Sequence, residues 1–147
     1  MLQVPYIREN KDLIIDRMKV RNMDASETIN KIIDTDKNRR ETQQKLDEVL
    51  ASSNAKAKEI GMLFKQGKGA EANALKQETS QLKEESKSLQ EAYNTYAEEL
   101  KQLLYLVPNV PHESVPEGKS DEENVEIYSE GTIPTLHADA KPHWELT

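Results

Sequence analysis

The chain has 147 residues, one domain's worth of length, but hydrophobic residues make up only 35% of it and charged residues 32%, against a usual apolar share of roughly 45–50%. Such a composition argues against a thick, many-sided core, and the absence of cysteine excludes a disulfide framework and a thiolate zinc site. The net charge of −7 is uneven: residues 1–25 sum to +1, residues 26–104 to −1 and residues 105–147 to −7, so the acidity sits in the tail. The six prolines, at positions 5, 108, 111, 116, 134 and 142, leave residues 6–107 free of the residue that costs a helix interior about 3 kcal/mol. No apolar run approaches about 18 residues, and no charged start leads into an apolar stretch. A soluble, intracellular protein, helical over two thirds of its length, is the expectation.

In chain order, residues 10–21 read as a short amphipathic helix with Asn10 as N-cap and Leu13, Ile14, Arg17 and Met18 on one face. A second helix is expected from Asp24, whose carboxylate can accept a backbone N–H while Glu27 reaches back as in a capping box. A seven-residue frame then runs through Ile29, Asp36, Gln43, Leu50, Ala57 and Phe64, with Ile32, Arg39, Leu46, Ser53 and Ile60 as its second set. Gln66-Gly67-Lys68-Gly69 interrupts the frame with two glycines that suit a chain reversal. A third helix follows in the same period, through Leu75, Leu82, Leu89, Tyr96 and Leu103, interleaved with Ala72, Thr79, Ser86, Tyr93, Leu100 and Val107.

A two-position stripe is narrow for a globular face and suits one partner helix, so the short loop implies an antiparallel hairpin about 55–60 Å long. The stripe favours a single arm over a bundle or an oligomer that doubles it. After Val107 come loop signals, including Pro108-Asn109-Val110-Pro111 and the acidic run Asp121-Glu122-Glu123. Asn124–Ser129 alternates like one strand without an evident partner. The chain ends at Pro142-His143-Trp144-Glu145-Leu146-Thr147 with no closing element, as a piece cut from something longer would. The fold class is therefore all-α: a short N-terminal helix, a long antiparallel two-helix coiled-coil arm to residue 106, and an extended linker over residues 107–147 with little regular structure.

No nucleotide-binding glycine loop, catalytic triad order or metal spacing is present, and His112, His137 and His143 lack a flanking pattern of ligands. No metal site is expected, and catalysis by this chain alone is not. The tip is more informative, since residues 52–77 hold Lys56, Lys58, Lys65, Lys68 and Lys76 against Glu59 and Glu71. Lys37, Arg39, Arg40 and Lys45 form a second basic cluster, where Arg39 falls in the seam and can lay its stem over the partner helix. Such runs are by default the solvated face of a coiled coil. As a nucleic-acid surface they would meet backbone and shape, because no aromatic residues are interleaved for base stacking.

Ile7-Arg8-Glu9-Asn10, Asp36-Lys37-Asn38-Arg39-Arg40, Asn54 followed by Lys58-Glu59-Ile60-Gly61, and above all Val107 to Pro116 with Gly118, Glu123-Asn124-Val125 and His143, together resemble the N-terminal region of bacterial-type seryl-tRNA synthetases. The resemblance covers essentially the whole chain. It departs from the family pattern at Ser53, Ala57 and Lys11, where Arg, Ser and Pro are usual. It implies a parent enzyme, a class II serine–tRNA ligase acting as a cytoplasmic homodimer, which activates serine with ATP and Mg²⁺ and esterifies it to its tRNA. It also implies that the arm grips the long variable arm and elbow of serine tRNA, that neither membrane nor DNA is a partner, and that the catalytic residues and the cofactors belong to a domain beyond Thr147. The tRNA contacts are expected among Arg39, Arg40, Lys45, Lys56, Lys58, Lys76 and Lys83. The competing expectation is a non-enzymatic coiled-coil scaffold or chaperone-like hairpin that binds protein.

Overall fold

The computed structural model describes residues 1–145. Four helices account for the regular structure: α1 (Val4–Glu9), α2 (Lys11–Lys19), α3 (Ser26–Lys65) and α4 (Gly69–Tyr105), followed by single 3₁₀ turns at Asp121–Glu123 and His143–Glu145. α3 and α4, of 40 and 37 residues, pack against each other as an antiparallel hairpin about 55–60 Å long. Gly67 alone takes the left-handed conformation at the reversal, with φ 77°. Its N–H donates to the Phe64 carbonyl at 3.1 Å and that of Lys68 to the Leu63 carbonyl at 3.0 Å, which closes α3 with a Schellman motif. Gly69 is simply the first residue of α4.

Every expected seam position of α4, from Ala72 to Val107, is buried or half-buried. On α3 the frame holds from Ile29 to Leu46 and then slips by one residue. Leu50 and Phe64 are 43% and 46% exposed and Ala57 is exposed, while Val49, Lys56 and Leu63 are half-buried in their stead. Two successive steps of three residues, Gln43 to Leu46 to Val49, locally overwind the helix, the effect of a stammer in a heptad repeat. Buried polar groups in the seam are satisfied locally; the Thr79 hydroxyl donates to the Leu75 carbonyl at 2.8 Å.

The helix expected over 10–21 forms as α2 with Asn10 at its N-cap position, and a further short helix, α1, precedes it. Asn10, at φ −123° and ψ 30°, breaks the path between them. It makes no cap with its side chain, whose Nδ2 instead donates to the Tyr6 carbonyl at 3.1 Å. Pro5 lies within the first turn of α1, where a missing N–H costs nothing. The inward residues of this pair are Ile7, Ile14 and Met18, whereas Leu13 is exposed. Ile7, Ile14 and Met18 pack with Ala25, Ile29 and Ile32 at the base of α3, with Leu100 and Leu104 near the end of α4, and with Val107 just beyond it. The thick part of the core is therefore confined to one end of the hairpin. At the start of α3, Asp24 accepts the Ser26 N–H at 3.0 Å as expected. Glu27 does not reach back but pairs with Lys31 at 2.7 Å.

Where the base meets the arm, Asp36 is the one carboxylate among the largest fully buried side chains. Its Oδ2 accepts from Arg8 of α1 at 3.4 Å and from Arg40 at 3.0 Å, and its Oδ1 accepts from Arg39 at 2.9 Å. The Arg39 guanidinium lies 5.9 Å from the centre of the Tyr93 ring on α4. One buried charge thereby ties α1, α3 and α4 together.

The segment after α4 is irregular but its first part is fastened to the base. Pro111 is buried, Arg17 of α2 donates to the carbonyls of Pro111 and His112, and Asn22 donates to the Gly118 carbonyl at 3.3 Å. No strand forms over 124–129 among the described residues. Ile127 is 82% exposed there, as follows when an alternating segment has no neighbour to complete a ladder. None of the described helices is long and apolar enough to cross a membrane. Leu146 and Thr147, the end of the expected linker, lie outside the described residues.

Urea unfolding of Asp36→Ala should show a loss of about 2 kcal/mol, below the buried-pair extreme because the arginines left behind can hydrate. Arg40→Ala, whose side chain is 51% exposed, should lose under about 1 kcal/mol. Gly67→Ala should cost about 1–2 kcal/mol through its left-handed backbone.

Candidate nucleic-acid interface

The seven basic residues singled out by the sequence fall into two classes once their neighbours are known. Arg39, Arg40 and Lys56 are engaged in ion pairs. Arg39 donates to Asp36 and, at 3.4 Å, to the Tyr93 hydroxyl; the hydrogen bond to Asp36 is the main reason its pKa is raised still further. Its stem lies in the seam as anticipated. Its Nε is buried without a hydrogen-bond partner among the described residues. Arg40 uses its Nε on Asp36 and is half exposed, so the outer face of its guanidinium points to solvent. Lys56 reaches across the hairpin to Glu78, a link between α3 and α4.

Lys45, Lys58, Lys76 and Lys83 are exposed and make no ion pair among the described residues. Lys76 is held in place another way, with its ammonium 4.9 Å from the centre of the Phe64 ring, an arrangement that attracts a cation to the π face. Phe64 was assigned to the seam by its heptad position; the register slip of α3 frees it for this role. Lys76 and Lys83 line one shallow groove along the hairpin with Ala57 and Ile60. Lys87, which sequence reasoning passed over, lines the next one with Leu46, Leu50, Gln90 and the carboxylate of Glu91. Its signal was available: it stands four residues after Lys83 on the same helix, one turn along the same face. The seven residues thus do not gather into one cluster but are spread along the length of the arm.

Chemically, this is a surface of point charges on a rigid rod. Exposed ammonium groups and a half-exposed guanidinium can meet phosphate oxygens, and the arm offers no enclosed cavity for a small substrate to enter. No group of three or more His, Asp or Glu among the described residues could hold a metal ion, so these residues do not fit a Mg²⁺ site.

Comparison with known proteins accords with this geometry. Residues 1–111, the helical base, the arm and the first turn of the tail, match the family model described as the seryl-tRNA synthetase N-terminal domain. The chain is 33% identical over 146 residues to the serine–tRNA ligase of Acidobacterium capsulatum, and 36% identical over 146 residues to that of Citrifermentans bemidjiense. It is 36% identical over 149 residues to that of Azorhizobium caulinodans. Each alignment takes in 99% of this chain and 32–34% of the relative; the chain spans about a third of the length of the curated relatives it matches. With a helical base, a two-helix arm and a tail that all align, the chain belongs to the seryl-tRNA synthetase N-terminal domain family.

Proposed function

We propose that this chain is the tRNA-binding arm of a serine–tRNA ligase, holding serine tRNA by its long variable arm and elbow through backbone and shape. The observation that carries the reading is the division of labour along the hairpin. The apolar core is gathered at the base, and basic side chains on a long rod lie beyond it. A rod of about 55–60 Å with solvated cations suits the surface of an RNA helix, whose phosphates and 2′-hydroxyls are accessible while its deep major groove is not. Contacts are drawn from Arg39, Arg40, Lys45, Lys56, Lys58, Lys76 and Lys83, about three to five of them to phosphates.

In this reading residues 1–106 form the arm domain and residues 107–147 the connection toward a catalytic domain, which carries the sites for serine, ATP and Mg²⁺. The full-length enzyme is a cytoplasmic homodimer in which the arm of one subunit positions tRNA for serylation. The support is the family match and the serine–tRNA ligase relatives, all of them about three times the length of the aligned region.

The test is a titration of the chain with serine tRNA at several salt concentrations. Three to five phosphate contacts give a log–log slope of about −2 to −4.5, at roughly 0.7–0.9 per contact. A tRNA without a long variable arm should bind several-fold more weakly. A flat salt response, or equal affinity for both tRNAs, would remove the reading in favour of a protein-binding hairpin.

A further inference from the structure

The chain does not leave the base where α4 ends. Val107 is buried, Val110 packs against the core and Pro111 is buried, so the backbone turns back across the base instead of running on from the arm. It then follows α2. Arg17 aims its fork at two successive carbonyls, with Nε donating to Pro111 at 3.3 Å and a terminal nitrogen donating to His112. The His112 carbonyl also accepts the Val115 N–H at 3.0 Å, which bends the segment into a turn at that point. Asn22, at φ 54° in the bend that closes α2, donates its side-chain amide to the Gly118 carbonyl at 3.3 Å.

Beyond Gly118 the attachment stops. Every residue from 119 to 139 is exposed, and the side-chain hydrogen bonds there are internal to the tail, from the Lys119 N–H to Glu123 and from the Tyr128 hydroxyl to Glu130. A cleft of about 760 Å³ opens between Val20 and Arg21, just past α2, and the tail from Val115 to Val125, so the backbone past the clamp is not packed down. The attached body therefore extends to Gly118, well past the arm boundary expected at residue 106. Arg17 is the stronger of the two clamps. Its guanidinium is planar and charged, and a fork on two adjacent carbonyls fixes the orientation of the backbone as well as its position. Asn22 holds one carbonyl by one neutral bond.

We propose that Arg17 is a positioning residue for tRNA serylation: by clamping Pro111 and His112 it sets the direction in which the chain leaves the base, and so the placement of the arm relative to the catalytic domain that follows. The proposal rests on the serine–tRNA ligase reading, in which the arm and the reacting centre hold the same tRNA. Arg17 touches neither tRNA nor substrate in this role. A long arm makes the angle at its root consequential, because a rotation of about 5° moves a point about 55 Å away by about 5 Å. Misplacing reacting groups by about 1 Å can cost about 100-fold in rate. Activation of serine with ATP involves no tRNA and is insensitive to that angle.

The deciding experiment uses the full-length ligase and compares Arg17→Met, which keeps the stem and removes the fork, with Arg17→Lys and Asn22→Gly. Serine-dependent ATP–pyrophosphate exchange, tRNA affinity, serylation and thermal unfolding by circular dichroism are measured for each. Arg17→Met should leave exchange and tRNA affinity within about twofold of wild type and lower kcat for serylation about tenfold, on the scale of orientation effects. Arg17→Lys, whose single ammonium lacks the rigid fork, should recover only part of that loss. Asn22→Gly, where glycine accepts the left-handed backbone, carries the same comparison independently of the Arg17 fold and should lower serylation about two- to threefold. Serylation unchanged by Arg17→Met, or a loss matched by an equal loss of exchange or of tRNA affinity, the result of a merely stabilising contact, would overturn the positioning role and leave the ligase reading in place. Failure of the unsubstituted enzyme to serylate serine tRNA would instead overturn that reading.

Discussion

The buried carboxylate of Asp36 is the constraint on which the arrangement of this molecule turns. A lone charge taken out of water is costly, and removing any partner from it leaves that cost uncovered. Here the partners come from α1 and from two successive positions of α3, and Arg39 passes the link on to Tyr93 of α4. The network sits just beyond the last thick layer of core. The base can therefore not rotate about the root of the hairpin without breaking charge-assisted hydrogen bonds, and a narrow two-helix rod gains a fixed direction that its own seam could not supply.

Beyond that point the energetics change character. The base buries Ile7, Ile14, Met18, Ile29 and Ile32 completely, while the distal seam alternates half-buried residues such as Leu63, Leu75 and Leu82 with small and polar groups such as Ser53, Ala72, Thr79 and Ser86. Stability there comes from the continuity of two long helices and from local devices: the Schellman closure at Gly67, the Thr79 hydroxyl bound to its own helix, the Lys56–Glu78 link. A thin, lightly packed distal arm suits an element whose partner lies outside the chain. Little apolar surface has to be hidden, and the side chains that remain are free to be charged.

What the sequence disclosed and what it concealed divide along the same line. The α4 frame was legible at every position from Ala72 to Val107 because each seam residue contrasts with charged neighbours and nothing shifts the period. On α3 the same arithmetic failed after Leu46. Leu50, Ala57 and Phe64 kept a seven-residue interval by themselves, and only packing against α4 decides that Val49, Lys56 and Leu63 turn inward instead. At the N-terminus α2 falls inside the expected 10–21 with Asn10 at its N-cap position, although the Asn10 side chain donates backwards to Tyr6 instead of capping; α1, at six residues, is too short to show a periodic stripe and was not legible. Basic candidates were visible as residue types, but their state was not. That Arg39 and Lys56 are engaged while Lys83 is open depends on Asp36, Tyr93 and Glu78, partners that lie on neighbouring turns or across the hairpin.

Net charge would have been a poor guide to the partner of such a chain. At −7 overall it suggests repulsion from RNA, but that sum mixes regions that do not share a field. The acidic segment follows a tail fastened to α2 by Arg17 and Asn22, at the base, while the lysine grooves lie far out along an arm about 55–60 Å long. Screening at physiological ionic strength reduces solvated charges to neighbours within about 8 Å. Acidity at the base thus acts on what adjoins the base, and the outer half of the hairpin presents to an approaching polyanion the charge of its own flanks. On a rod only two helices thick those flanks are within reach of each other, and Lys83 and Lys87 share theirs with Glu84 and Glu91, so what an approaching polyanion meets is set by the local balance of close neighbours and not by the sum over the chain.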